Sequence, residues 1–209
     1  MRSSARFWDK IADRYAKQPV ADEAAYQTKL GVTREYLRSD ARVLELGCGT
    51  GSTALSHAPH VAHIRGIDIS SKMISIARAK AEAAGVDNVT FDCASIDEVC
   101  ASEDRYDAVL ALSVLHLVDD RAEVVARVYD MLEPGGVFIT STTCLDGWRK
   151  LFRAVVPIGQ VLGLLPLLRF FGVDELLKSL TDAGFEIAHR WQPGEGKAVF
   201  IVASKPRGG

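Results

Sequence analysis

The sequence predicts an α/β fold: a mostly parallel sheet with helices on both faces and an antiparallel last strand. Three observations predict it. From Ala41 onward, apolar runs of strand length alternate with segments of helical period. The first such run, Arg42 to Leu46, breaks abruptly into the alternating glycines Gly47, Gly49 and Gly51. The last two apolar runs are joined by Pro193-Gly194-Glu195-Gly196, too short a link for anything but an antiparallel hairpin.

Two helices precede the first strand. Residues 6–17 carry Phe7, Trp8, Ile11 and Tyr15 at helical spacing, and Gln18-Pro19 ends the run. Asp22 to Leu37 places Tyr26, Leu30, Thr33 and Leu37 on one face. Both are read as packing helices that also serve as a lid over a ligand, so that 1–40 forms a helical cover on one domain spanning 1–209. The alternation follows. Strand 42–47 leads to a helix at 50–57, then to strand 63–69. Ser70 or Ser71 caps a helix with Met73, Ile74, Ala77 and Ala81 inward, and Gly85 ends it. Strand 89–93 comes next. The nearly all-apolar run 106–112 suits a strand buried on both faces. A helix over 121–132, a turn at 133–136 and strand 137–142 complete this half. Beyond an apolar insert, a helix over 173–183 is capped by Gly184 and followed by strands 185–191 and 198–203, the sixth and seventh.

Composition narrows the classes. The 209 residues suffice for a full core. A hydrophobic fraction of 48% and a net charge of −2 are those of an ordinary globular protein and point to no polyanionic partner. Met1 to Trp8 lacks the apolar core of a signal peptide, and Cys48, Cys93, Cys100 and Cys144 form no Cys-x-x-Cys pair. Both features predict reduced thiols in the cytoplasm. The insert, 145–172, has a core at 151–171 of nearly spanning length, but Arg153, Gln160, Arg169, Pro157 and Pro166 interrupt it. It predicts no transmembrane span. A pocket wall for an apolar acceptor, a homodimer face and a peripheral contact with a membrane surface remain open readings.

In such a sheet the ligand lies beyond the carboxyl ends of the strands, where the strand order reverses. Those ends carry Gly47 to Gly51, Asp68, Ser95 with Ile96, and Leu112 to His116. Glycines let backbone approach a ligand, and a carboxylate at Asp68 can accept from two ribose hydroxyls. His57, His60 and His63 have no carboxylate at ligand spacing, so no metal is expected.

Glu-Leu-Gly-Cys-Gly-Thr-Gly at 45–51, Gly-Ile-Asp-Ile-Ser at 66–70, Tyr-Asp-Ala-Val-Leu at 106–110 and Leu-Glu-Pro-Gly-Gly at 132–136 together resemble the class I S-adenosylmethionine-dependent methyltransferases. Phe7, Trp8, Asp9, Ala12 and Tyr15 resemble the first helix of small-molecule members, including enzymes of quinone biosynthesis. The resemblance implies a Rossmann-like seven-stranded fold and S-adenosylmethionine as cofactor. It implies that Gly47, Cys48, Gly49 and Gly51 form the cofactor loop and that Glu45 supports the loop or the cofactor amine. It further implies Asp68 on the ribose, Ile69 and Met73 flanking adenine, Ser95 and Ile96 at its edge, and the Leu112 carbonyl on the ammonium. Many relatives carry Asp where Ser95 stands. Tyr15 and His116 are the candidates beside the transferred methyl, with Tyr15 also touching the cofactor. The expected acceptor is a small, apolar thiol, quinol, phenol, amine or lipid-like molecule. Nucleic-acid bases are disfavoured, since Ala111-Leu112-Ser113-Val114 replaces an Asn-Pro-Pro-Tyr type motif. The rival readings are a cofactor-binding regulator that transfers nothing and an NAD-type oxidoreductase.

Overall fold

Residues 2–100, 102–144 and 165–208 are described by a computed structural model. The part of the insert at 145–164 lies outside the described residues. The described strands form one seven-stranded sheet, β1 (Arg42–Leu46), β2 (His63–Asp68), β3 (Val89–Cys93), β4 (Tyr106–Leu112), β5 (Leu132–Thr142), β6 (Glu186–Trp191) and β7 (Val199–Ser204), in the order β3-β2-β1-β4-β5-β7-β6. β7 runs antiparallel to both β5 and β6, and the other pairings are parallel. The order reverses between β1 and β4, which is where the glycines emerge.

The helices are α1 (Arg2–Lys17), α2 (Glu23–Tyr36), α3 (Ser52–His57), α4 (Ser71–Ala83), α5 (Ile96–Cys100), α6 (Arg121–Met131) and α7 (Val173–Asp182). Alternating strand residues feed two cores. Leu44, Leu46, Val109, Phe138 and Ile201 pack with Val125 and Val128 of α6 and Leu176 and Leu180 of α7. Val43, Ile64, Leu110, Ile139 and Phe200 pack with Ala54 of α3 and Ile74 and Ala77 of α4. Burial on both faces is what an all-apolar strand such as β4 requires.

Three differences from the sequence reading have local causes. α3 begins at Ser52, because Gly51 adopts φ 75° and serves as its N-cap. The expected turn at 133–136 belongs to β5, since Gly135 N–H donates to the Lys205 carbonyl and Lys205 N–H to that of Gly136. α5 is an addition, started by a capping box: Ser95 Oγ accepts from Glu98 N–H at 3.2 Å, and Glu98 Oε2 accepts from Ser95 N–H at 2.7 Å. Among the described residues, no helix is long and apolar enough to cross a membrane.

Candidate active site

A cavity of about 270 Å³ opens at the carboxyl ends of β1, β2 and β4 and is covered by α1. Its floor is built by the turn after β1. Gly47, Gly49 and Gly51 have φ of 64°, 53° and 75°, a region that side chains disfavour. A Cβ on Gly47 would meet Val114 Cγ2 at 2.7 Å, and one on Gly51 would meet Phe91 Cζ at 2.7 Å. Gly49 differs. A Cβ there would have only Tyr15 Cε1 near it, at 4.0 Å, so its missing side chain is space facing the cavity.

Asp68 fixes this turn. Its Oδ2 accepts from Gly49 N–H at 3.0 Å and its Oδ1 from Ser70 N–H at 2.8 Å. Each oxygen keeps a lone pair for a ligand. Burial raises the Asp68 carboxyl above its ordinary range, while the two N–H donors oppose the shift. Ile69 and Met73 continue the wall from β2 into α4, and Ile96 and Ser95 face them from α5. Ser95 Oγ also donates to Glu98 Oε2 at 2.9 Å, so the cap consumes its proton.

α1 is clamped to α4 by Asp9. Its Oδ1 accepts from Ser70 Oγ at 2.7 Å and from Lys72 N–H at 3.1 Å, while Ser70 Oγ caps Met73 N–H. This puts Ser4, Trp8 and Tyr15 on the cavity wall, with Trp8 and Tyr15 edge to face at 6.3 Å. Tyr15 is 47% exposed, and its hydroxyl pKa is raised by burial, then by Asp68. On the opposite side stand Leu112, Ser113, Val114, Leu117 and Val118, with Pro166 and Leu167 from the end of the insert. Ser113 adopts φ 61°, unusual for a residue with a side chain, and its N–H donates to the Ser141 carbonyl at 2.7 Å.

Four expected site residues lie off this wall: Gly51, which packs against Phe91 and Ala77 instead, and Glu45, Cys48 and His116. Glu45 is 3% exposed behind the loop, where it accepts from Ala54 N–H, and burial raises it to about 8. Cys48 points into the core beside Gly66, and burial pushes its thiol well up. His116 sits in the 3-10 turn after β4, which shows Leu117 to the cavity and turns the imidazole away. Burial lowers its pKa, and Nδ1 has no partner among the described residues. The sequence reading missed Ser4, Trp8, Asp97 and Leu117 as wall residues, and placed Ser113 and Val114 at the strand end without a role. The capping box would have located Asp97, and the helical spacing of Trp8 with Tyr15 would have linked those two.

The wall fits S-adenosylmethionine. Gly49 supplies room that a Cβ would fill, Asp68 supplies acceptors, and Ile69, Met73 and Ile96 supply an apolar slot. A family model described as a methyltransferase domain matches residues 43–136. A ubiquinone biosynthesis O-methyltransferase of Bradyrhizobium sp. (strain ORS 278) is 33% identical over 192 residues, 86% of this chain and 75% of that one. YcgJ of Bacillus subtilis superposes with a TM-score of 0.69 at 18% identity, covering 87% of this chain and 100% of that one. The [4+2]-cyclase SpnF superposes equally well, at 0.69 and 20% identity, over 86% of this chain and 80% of its own. The fold alone therefore does not name a reaction. The sequence relation and the site do: the chain belongs to the class I S-adenosylmethionine-dependent methyltransferases.

Proposed function

We propose that the chain transfers a methyl group from S-adenosylmethionine to a hydroxyl of a small acceptor with an apolar body. One observation carries this reading: beyond the glycine turn and Asp68 the cavity is also lined by the apolar Leu117, Val118, Pro166 and Leu167, beside the carboxylates Asp119, Asp120 and Glu123. The O-methyltransferase names of the relatives support oxygen as the accepting atom.

Bound cofactor supplies an electrophilic methyl on a good leaving group. The chain must then hold an acceptor lone pair in line with it. Gly47, Gly49 and Gly51 give the backbone cradle, Asp68 accepts from the ribose, Ile69, Met73 and Ile96 flank adenine, and the Leu112 carbonyl accepts from the ammonium. Asp97 stands on the same wall as Ser95 and offers a carboxylate acceptor to the adenine amino group, while Ser95 Oγ already accepts from Glu98 N–H. Tyr15 keeps its proton and orients the acceptor from the α1 side. His116 lies behind Leu117 and off the cavity wall, so the reading assigns it no proton transfer.

The thiols of Cys48, Cys93 and Cys100 support a reducing, cytoplasmic setting. Leu165, 37% exposed and next in the chain to the lining residue Pro166, supports either a homodimer face or a membrane contact, which sedimentation velocity and vesicle flotation respectively read. The activity is tested by transfer of labelled methyl to pools of phenols, quinols, thiols, amines and lipids. Product from the phenol or quinol pool is expected. Product confined to thiols or amines overturns the hydroxyl acceptor. Titration calorimetry of Asp68→Ala should show cofactor binding weakened at least tenfold; unchanged binding overturns the site.

A further inference from the structure

Glu45 is a buried acid with no ion-pair partner among the described residues. One oxygen accepts from Ala54 N–H of α3, and Oε2 has no hydrogen-bond partner among the described residues. Its titration is governed by burial, by the Ala54 N–H and by repulsion from Asp68 at the end of β2. Among the described residues no cation is bonded to Glu45; Arg34 of α2 reaches the Ser56 carbonyl and acts on His57. Tyr15 of α1 and Cys48 of the loop are neutral groups that feel Glu45, and Tyr26 of α2 acts on Tyr15. His57 of α3 is buried and uncharged near neutrality. Lys80 of α4 is bonded instead to the hydroxyls of Thr50 and Ser52, at 3.0 and 3.1 Å. A carboxyl so placed keeps its proton, because ionisation there has neither water nor a counter-charge to stabilise it. Burial holds it protonated up to about pH 8.

We propose that binding of the cationic cofactor drives the proton off Glu45, which then serves as the buried counter-charge behind the glycine loop. The inference rests on the cofactor lying against Gly47 and Gly49. The step breaks only the carboxyl O–H bond. The proton leaves to the solvent buffer, and the carboxylate remains on the Ala54 N–H behind the loop. Glu45 is off the cavity wall, so it acts through the loop and by charge across low-dielectric protein; it is a positioning residue. Cofactor affinity therefore rises with pH as the free protein approaches the titration of Glu45, by up to about tenfold per pH unit for one linked proton.

The experiment is titration calorimetry of the full chain with S-adenosylmethionine near neutral pH, in phosphate and in Tris. The difference in buffer ionisation heat counts the protons exchanged. The cofactor's own amine also titrates, so the readout is wild type against Glu45→Gln. Wild type should release close to one more proton per site, and 5′-methylthioadenosine, which lacks the amino-acid part, should release none from either protein. Equal proton counts in the two proteins overturn the inference while leaving the cofactor assignment standing. Absence of binding to wild type overturns both. Should Glu45→Gln fail to fold, difference infrared spectroscopy of wild type labelled at glutamate decides. The protonated-carboxyl band is expected to vanish on adding cofactor, and its persistence overturns the proposal.

Discussion

At Gly49 and Gly51 one residue type meets two different demands. Both have positive φ, so alanine at either costs about 1 kcal/mol in backbone strain. At Gly51 the new methyl also runs into Phe91 Cζ at 2.7 Å and Ala77 Cβ at 2.9 Å. Overpacking of that kind adds about 1–3 kcal/mol. At Gly49 the methyl enters the cavity. Gly51→Ala should therefore lower the melting temperature by many degrees, whereas Gly49→Ala should lower it by only about 2–4 °C yet abolish cofactor binding. Thermal denaturation and calorimetry on the pair check this; equal melting temperatures would refute it. Not every residue was so readable. Cys48 lies in the glycine motif, yet a turn with glycine on either side sends its thiol to the opposite face, beside Gly66. His116 stands one residue from a wall position, and only the phase of a 3-10 turn decides that Leu117 faces the cavity.

Among the elements, α1 is held to the sheet by few polar contacts. The Asp9 carboxylate receives Ser70 Oγ and Lys72 N–H, so it shares in the capping of α4. Asp9→Ala removes both, a loss of about 1–2 kcal/mol by analogy with helix caps. The α1 amides should lose hydrogen-exchange protection, and cofactor affinity should fall roughly tenfold. β4, β5 and the two cores should keep their protection. If exchange in α1 is unchanged, Asp9 is not the clamp. The element list itself was largely legible, because strands such as 106–112 and helices such as 121–131 carry long, strong periodicities. α5 escaped because a five-residue helix has little periodicity to show; its signal was the Ser95-to-Glu98 box. The roof over the site was legible only as amphipathic helices, since which side of α1 meets α4 is settled by tertiary contacts.

For the whole molecule, two buried groups shape stability against pH in opposite senses. Glu45 titrates at about 8 in the fold, against 4.5 ordinarily, so within that window the folded state holds an extra proton and stability falls as pH rises. His57 is fully buried and titrates at about 4, against 6.5 ordinarily. Between those values the unfolded chain holds the extra proton, so stability falls as pH drops. The two effects offset each other from about pH 4.5 to 6.5. Above that only Glu45 acts, and the cofactor-free protein should lose up to about 1.4 kcal/mol per pH unit until about pH 8. Denaturant melts across this range check it, with Glu45→Gln expected to flatten the decline. A flat wild-type profile from pH 6.5 to 8 would contradict the buried proton.

The two chain ends lie at opposite edges of the parallel strands. Ser4 stands on the cavity wall, while Ser204 pairs with Val137 at the far end of β5, and Lys205 with Gly136 beyond it. This has a practical side for anyone handling the protein. A purification tag, a fluorophore or an immobilising surface joined ahead of α1 sits at the doorway through which ligands pass. The same attachment after Arg207 leaves that doorway clear.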